Sequence, residues 1–164
     1  MTFSIQKQLL TILATALLLP APGWAHGEGK KQLQRKINSE EHAFGREGDP
    51  KRVKRTIHVD MSDKMRFTPS EITVKRGDTV RFVVKNSGKV MHEMVLGTMD
   101  ELRKHAELMK KFPGMEHDEP YMAHVGSGHS ANLYWQFTQS GEFHFGCLVP
   151  GHWEAGMSGK IIVK

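Results

Sequence analysis

The sequence predicts an all-β protein in which two sheets pack face to face, with one inserted α-helix and a polar N-terminal arm. Short stretches that alternate apolar and polar residues recur over residues 56–164, with turn residues between them. One stretch in the same region has helical spacing instead. A series of short strands separated by turns is typical of a two-sheet sandwich, and the chain is long enough for one domain with its own core.

Residues 1–25 have the composition of an export signal. Lys7 supplies a positive start, an apolar run follows at 9–19, and the segment ends in small residues after Pro20 and Pro22. The apolar run is shorter than the roughly 20 residues that span a bilayer, so it favours a cleaved signal over a membrane anchor. We therefore expect an exported mature chain that begins at His26 and has no stable membrane anchor.

Residues 26–55 are polar and charge-rich and are predicted to form an arm. Basic runs in this arm contribute to the net charge of +5. An exported protein meets no nucleic acid, so the basic residues indicate either a solvated arm or a docking surface for an acidic redox partner or lipid headgroups. His26 could chelate Cu(II) with its imidazole and terminal amine, or it could simply be a mobile end.

The strands that build the sandwich are predicted from period-2 alternation. They fall at 56–61, 71–75, 79–85, 90–96, 133–138, 142–147 and 159–164. Large apolar side chains share faces on the late strands, with Leu133, Trp135 and Phe137 on one face and Phe143, Phe145 and Cys147 on another. The core should therefore be rich in aromatic residues.

Residues 98–131 are predicted to form a helix–loop insertion in the sandwich. Thr98 and Glu101 have the spacing of a capping box, and Pro113 and Gly114 end the helical pattern. The methionines at helical spacing in this stretch are interpreted as packing residues, because methionine commonly fills gaps on a buried helical face.

The loop after this helix carries a repeated Met-x-His unit. Two thioethers and two or three imidazoles within a short stretch would suit a second Cu(I) site, whereas an ordinary irregular loop would pack its methionines and leave its histidines in solvent. Both interpretations stay open. The candidate residues of this possible second copper site are Met115, His117, Met122, His124 and His129, together with His26.

The stretch from Cys147 to Met157 carries the clearest chemistry. It contains the only cysteine of the chain, with His152 and Met157 at regular intervals after it. Thiolate, imidazole and thioether are three of the four ligands of a type 1 copper site, which has two histidines and a cysteine around the metal and a weak axial methionine. His92, on an upstream strand, is the best candidate for the missing histidine. A lone cysteine that persists in an exported chain also favours protection by a metal.

These motifs resemble the cupredoxins. The pattern Cys-x4-His-x4-Met, the turn Asn86–Gly88 before His92 and a final Gly-Lys-Ile-Ile-Val strand carry the resemblance. The stretches Arg66-Phe67-Thr68-Pro69 and Met91-His92-Glu93-Met94 look more specifically like the small periplasmic cupredoxins of bacterial copper resistance. The resemblance covers about 55–164. It implies a Greek-key sandwich over 56–164, copper cycling between Cu(I) and Cu(II), and a periplasmic location.

The chain departs from plastocyanin and azurin at two places. Glu93 stands where those proteins usually have asparagine, and the interval between His152 and Met157 is longer than in azurin. The predicted metal ligands His92, Cys147, His152 and Met157 are unaffected, while the colour and redox potential of the site are not determined by the sequence.

Two functions follow from a copper ion whose coordination positions are all filled by protein. Such a site has no position for a substrate, so we expect electron transfer or copper binding rather than an enzyme, with oxidation of Cu(I) left open. The first function is copper tolerance in the periplasm, and the alternative is a soluble electron carrier of a respiratory or photosynthetic chain. A c-type cytochrome or a multicopper oxidase is the kind of redox partner we expect.

Overall fold

The computed structural model describes residues 36–115 and 117–164. This part of the chain forms ten strands, one α-helix and a short 3₁₀ turn at Pro50–Arg52. The regular elements are β1 (Arg46–Glu47), β2 (Val53–Ser62), β3 (Arg66–Thr68), β4 (Glu71–Val74), β5 (Thr79–Asn86), β6 (His92–Gly97), α1 (Met99–Lys111), β7 (Met122–Val125), β8 (Ser130–Gln136), β9 (Gly141–Gly146) and β10 (Ser158–Val163).

The strands form two five-stranded sheets. The first has the order β1-β8-β5-β2-β3 and the second the order β4-β10-β9-β6-β7. Strands β2 and β5 are parallel, as are β4 and β10, and the other neighbours are antiparallel. The predicted all-β sandwich with one inserted helix is confirmed. The predicted export signal at 1–25 and His26 lie outside the described residues.

The core between the sheets follows the alternation of the strands. On β5, Val80, Phe82 and Val84 are completely buried, while Arg81 lies on the other face. The late strands supply the largest buried side chains, including Trp135, Phe137 and Phe145. The prediction of an aromatic-rich core is therefore confirmed.

Helix α1 packs on the outer face of the second sheet. Thr98 caps it, and its hydroxyl accepts from the Glu101 N–H while the Glu101 carboxylate accepts from the Thr98 N–H, as the capping box predicted. Its buried residues pack against Val95 on β6 and Leu148, the residue after the cysteine. The helix thus supports the start of the 147–157 loop. Among the described residues, no helix has the length and apolar character needed to cross a membrane.

The segment predicted as an insertion, 98–131, also contributes an edge strand. Strand β7 pairs with β6 so that His92 faces Val125 and Glu93 faces His124. A strand of four residues with a single polar position, His124, carries too little periodicity to be recognised in the sequence. This pairing brings the segment with the two Met-x-His units, within 115–129 (the Met/His loop), alongside the strand that carries His92.

The described part of the predicted arm reaches the core of the sandwich. The ring of Phe44 is buried and stacks on Trp135, with ring centroids 5.0 Å apart. The indole N–H of Trp135 donates a 2.8 Å hydrogen bond to the Phe44 carbonyl, and β1 pairs with β8. A single aromatic residue in a polar stretch produces no periodic signal, so this contact could not be read from the pattern.

Replacing Phe44 tests the contribution of this segment to stability. Removing a buried phenylalanine side chain costs about 3–5 kcal/mol, so we expect Phe44→Ala to lower the free energy of unfolding by about 3 kcal/mol in urea titrations. Ile37, which is 38% exposed, provides the control. If Phe44→Ala and Ile37→Ala have the same small effect, the segment does not belong to the folded unit.

Candidate metal centre

Three predicted ligand side chains meet at one end of the second sheet. Strands β6 and β9 are antiparallel, so His92 at the start of β6 and Cys147 just after β9 lie at the same end. The Cys147 Sγ is 3.2 Å from His152 Nδ1 and 4.0 Å from His92 Nδ1. The two Nδ1 atoms are 3.2 Å apart. Among the described residues, this is the one cluster of His, Cys, Asp or Glu donors close enough to share a metal ion.

The separations of these donor atoms fit one metal ion between them. Metal–nitrogen and metal–sulfur bonds of about 2.0 and 2.3 Å place neighbouring donors about 3–4 Å apart around a shared ion. Few protons are available between two imidazole nitrogens and a sulfur that face one another. A cation between these atoms accepts a lone pair from each of them. His92 and Cys147 are buried and His152 is half-buried, so one imidazole edge reaches the surface.

The loop from Cys147 to Met157 closes on itself through its backbone. The Cys147 N–H donates to the Met157 carbonyl and the Met157 N–H to the His152 carbonyl, both at 3.0 Å. Met157 is fully buried in the main core. The backbone of the predicted axial ligand therefore lies beside those of the cysteine and the second histidine.

Two further contacts hold this loop on the sandwich. The Trp153 ring lies directly over Gly146, where a β-carbon would come within 2.4 Å of the ring. Only glycine permits this approach without a shift of the indole. At the other end of the loop, the Arg66 guanidinium donates to the Ala155 carbonyl at 2.9 Å. The loop is thus fixed next to both of the residues it contributes to the cluster.

Comparison with known proteins identifies the family. The copper-binding proteins of the plastocyanin/azurin family match residues 53–164. The chain belongs to this family. It is 42% identical over 160 residues to the copper-resistant cuproprotein CopI of Rubrivivax gelatinosus, covering 98% of this chain and 97% of that protein. It is 32% identical over 168 residues to CopI of Vibrio cholerae, covering 96% of this chain and 98% of the relative.

Solved cupredoxin structures share the fold. The reduced auracyanin of Roseiflexus castenholzii superposes with a TM-score of 0.59 at 22% identity, covering 68% of this chain and 98% of the auracyanin. Auracyanin B gives a TM-score of 0.60 at 20% identity, covering 76% of this chain and 96% of that one. The chain is a copper-binding cupredoxin, and the predicted family, fold and copper cofactor are confirmed.

The protonation of the donors bears on how this cupredoxin takes up its metal. Burial raises the pKa of the Cys147 thiol to about 12, against the opposing effect of hydrogen bonds from the backbone at Glu93 and Val149. Burial, reinforced by the neighbouring His92, lowers the pKa of His152. At neutral pH the thiol therefore keeps its proton and His152 is neutral, so binding of a metal by the sulfur must release a proton.

Asp63 contacts one of the predicted ligand imidazoles, and no pattern in the sequence marks it. Its carboxylate accepts the N–H groups of Lys89 and Val90, and it lies 3.3 Å from His92 Nε2. The hydrogen bond from the Lys89 backbone is the main reason that the pKa of Asp63 is lowered. A carboxylate on the outer nitrogen of a ligand histidine fixes the ring and leaves Nδ1 free for the metal.

Glu93 is a buried carboxylate next to the cluster. One of its oxygens accepts the Leu148 N–H at 2.9 Å, and the other contacts His124 Nδ1 at 2.9 Å. This hydrogen bond is the main cause that raises the pKa of His124 to about 9. Plastocyanin and azurin usually have an asparagine at the position of Glu93. In this cupredoxin the carboxylate pairs with His124, which links β6 to β7, and it also binds the 147–157 loop that carries the predicted ligands (the ligand loop).

The structure distributes the remaining candidate residues over several places. Met115, His117 and His124 line one cavity beside the ligand loop. Met122 packs against the buried apolar residues under α1. His129 is exposed in the turn before β8, with its Nδ1 2.8 Å from the Ser127 carbonyl. Both ring nitrogens of His124 have partners, since Nε2 is 3.2 Å from the His117 carbonyl. The second copper site of the sequence analysis stays a prediction.

Replacing Asp63 tests its orienting role. Loss of a partner that orients a metal-binding histidine weakens metal binding about 10–100-fold, so we expect Asp63→Ala to weaken Cu(II) binding by that factor in competition titrations. Asp63→Asn, which keeps an acceptor oxygen, should lose less. Asp100→Ala, an exposed carboxylate in the first turn of α1, is the control. Unchanged affinity of Asp63→Ala would show that His92 is oriented by other contacts.

The Glu93–His124 pair should make stability depend on pH. Because the pKa of His124 rises from 6.5 to about 9 on folding, its stabilising effect is complete below pH 6.5 and is lost as the pH rises through 9. Breaking a fully buried ion pair lowers the free energy of unfolding by about 3–5 kcal/mol. Because a third of the His124 side chain is exposed to solvent, we expect His124→Gln to lower it by only about 1–2 kcal/mol at pH 6. Urea titrations should show a smaller loss at pH 10. A loss that is equal at both pH values would contradict this electrostatic role.

Proposed function

We propose that the chain holds copper in a type 1 centre formed by His92, Cys147, His152 and Met157 and contributes to copper tolerance in the periplasm. The observation that supports this proposal is the approach of two imidazoles and a thiol to within 4.0 Å of one another. Sulfur ligands select Cu(I), and imidazole also suits Cu(II), so this donor set accommodates both oxidation states.

The relatives support the role in tolerance. The proteins from Rubrivivax gelatinosus and Vibrio cholerae are both named copper-resistant cuproproteins, and each aligns with almost the whole of this chain. A match limited to the sandwich would indicate only a shared scaffold. Identity over the full length extends the likeness to the helix and the Met/His loop, which a minimal electron carrier does not need.

Different residues have different roles in the proposed centre. Bound copper supplies one-electron exchange between Cu(I) and Cu(II). Asp63 holds the His92 ring in position, and the backbone at Glu93 and Val149 donates hydrogen bonds to the cysteine sulfur. The half-buried His152 offers the edge through which an electron passes to or from a partner.

The surroundings of the centre bear on location and partners. The sequence of residues 1–25 is that of an export signal, so we place the protein in the periplasm, where a c-type cytochrome or a multicopper oxidase is the kind of redox partner expected. With four protein ligands the centre has no position for a substrate, so we propose a copper-binding and electron-transfer protein rather than an enzyme.

Replacing the cysteine tests the type 1 centre. We expect Cys147→Ser to abolish the intense visible absorption that Cu(II) gives with a thiolate ligand, while Met61→Leu, a substitution of another buried methionine, keeps it. The change is recorded by adding Cu(II) to the purified protein and measuring the visible spectrum. Retention of the band in Cys147→Ser would show that the sulfur is not a ligand.

The role in tolerance is tested in cells with the same variants. A strain that lacks the protein should grow poorly in added copper, and the wild-type chain, but not Cys147→Ser, should restore growth. If the strain that lacks the protein grows normally in added copper but loses respiration, this result would instead support the soluble electron carrier.

A further inference from the structure

A cavity of about 510 Å³ lies beside the proposed type 1 centre. Val149 and Pro150 of the ligand loop line one part of it, and Met91, the residue before His92, lines another. Glu93 on β6 and His124 on β7 line it as well, and the end of α1 with the loop that follows, including Asp118, forms the rest. The cavity therefore lies next to the proposed centre, and none of the four proposed copper ligands lines it.

Three thioethers line this cavity. Met109 comes from the buried face of α1, Met115 from the loop after it, and Met91 from the position just before β6. Met91 is 50% exposed and Met115 39% exposed, so both side chains of this lining reach the surface. Three methionines from separate elements that border one opening form a soft donor set, which selects Cu(I) over harder cations.

His117 adds an imidazole to the same cavity. Its Nδ1 is inaccessible to solvent and has no hydrogen-bond partner in the structure. Buried polar atoms are rarely left unpaired in proteins, and an unpaired one requires an explanation such as an ion. His105 lies against this ring at a tilt of 34°, with centroids 4.8 Å apart, and burial together with His117 lowers the pKa of His105.

The other candidates from the Met/His loop are engaged elsewhere. His124 contacts the Glu93 carboxylate and the His117 carbonyl with its two ring nitrogens, so neither is free for a metal. Met122 packs under α1, and His129 lies in the turn before β8. The site proposed below therefore takes Met115 and His117 from the predicted set and adds Met91 and Met109 from the cavity lining.

We infer that this cavity is a second copper site, which binds Cu(I) through the thioethers of Met91, Met109 and Met115 and the imidazole of His117. The inference deepens the proposed function and rests on it, because a second site for Cu(I) is of use to a protein that handles copper. The two sites use different residues, so each is tested separately from the other.

The test compares Cu(I) binding in two sets of substitutions on the full chain. The triple variant Met91→Leu, Met109→Leu and Met115→Leu removes the sulfurs and keeps the apolar volume, a type of change that folded proteins tolerate. Met61→Leu, Met99→Leu and Met122→Leu make the same change at methionines that do not line the cavity. Anaerobic titration with Cu(I) against a chromophoric chelator gives the number of ions bound.

We expect the cavity variant to bind one equivalent of Cu(I) fewer than the wild type, and the control variant to bind as many as the wild type. His117→Gln should weaken the second equivalent at least about tenfold. Equal stoichiometry in the wild type and the cavity variant, or a loss confined to the control, would overturn the second site.

The spectrum of added Cu(II) separates this inference from the proposed function. The cavity variant should keep the visible thiolate band, which shows that it is folded and that the first centre is intact. Absence of that band in the wild-type protein would contradict the proposed type 1 centre, while the difference in Cu(I) stoichiometry would still report on the cavity. If the cavity variant loses the band and keeps its Cu(I) stoichiometry, the three methionines serve the first centre and the second site is wrong.

Discussion

The end of the sandwich must hold three predicted metal donors within reach of one ion. The Nδ1 atoms of His92 and His152 are 3.2 Å apart and both face the Cys147 sulfur. Without a metal, these three atoms share only the thiol and imidazole protons, so the rest of the fold has to keep them in place. The pairing of β6 with β9 and the packing of α1 on the second sheet bring the chain segments to the same point before any metal is bound.

The connections around the loop explain how the donors stay in place. Glu93 binds the backbone of Leu148 at one end, and Arg66 binds that of Ala155 at the other. Between them, the Trp153 ring lies on Gly146. Ligands fixed from several directions move little when the charge of the metal changes, and a donor set that suits both oxidation states then exchanges electrons with little rearrangement. In the proposed type 1 centre, the contacts that fix the loop on the sandwich are therefore the same contacts that keep the donors in place.

The parts of the structure that could be predicted are those with a local pattern. The alternation of β5 and the capping box of α1 lie within a few residues, so the sequence indicates them directly. The positions of His92 and Cys147 could be related because a sandwich brings its strand ends together. Asp63 and the Glu93–His124 pair were not found, since each acts on a residue far away in the chain and single polar residues are common throughout the sequence. Phe44 was missed for the same reason, as its partner Trp135 lies 91 residues further along the chain, near the end of β8.

The substitution of a carboxylate for the usual asparagine has consequences beyond the ligand loop. Glu93 keeps His124 protonated at neutral pH, because the pKa of that imidazole is about 9. His124 borders the methionine-lined cavity together with Glu93 and Asp118. The two carboxylates balance the imidazolium, so the lining does not repel an entering cation. The preference of this cavity for the cuprous ion therefore rests on its soft thioethers and not on a positive charge at its entrance.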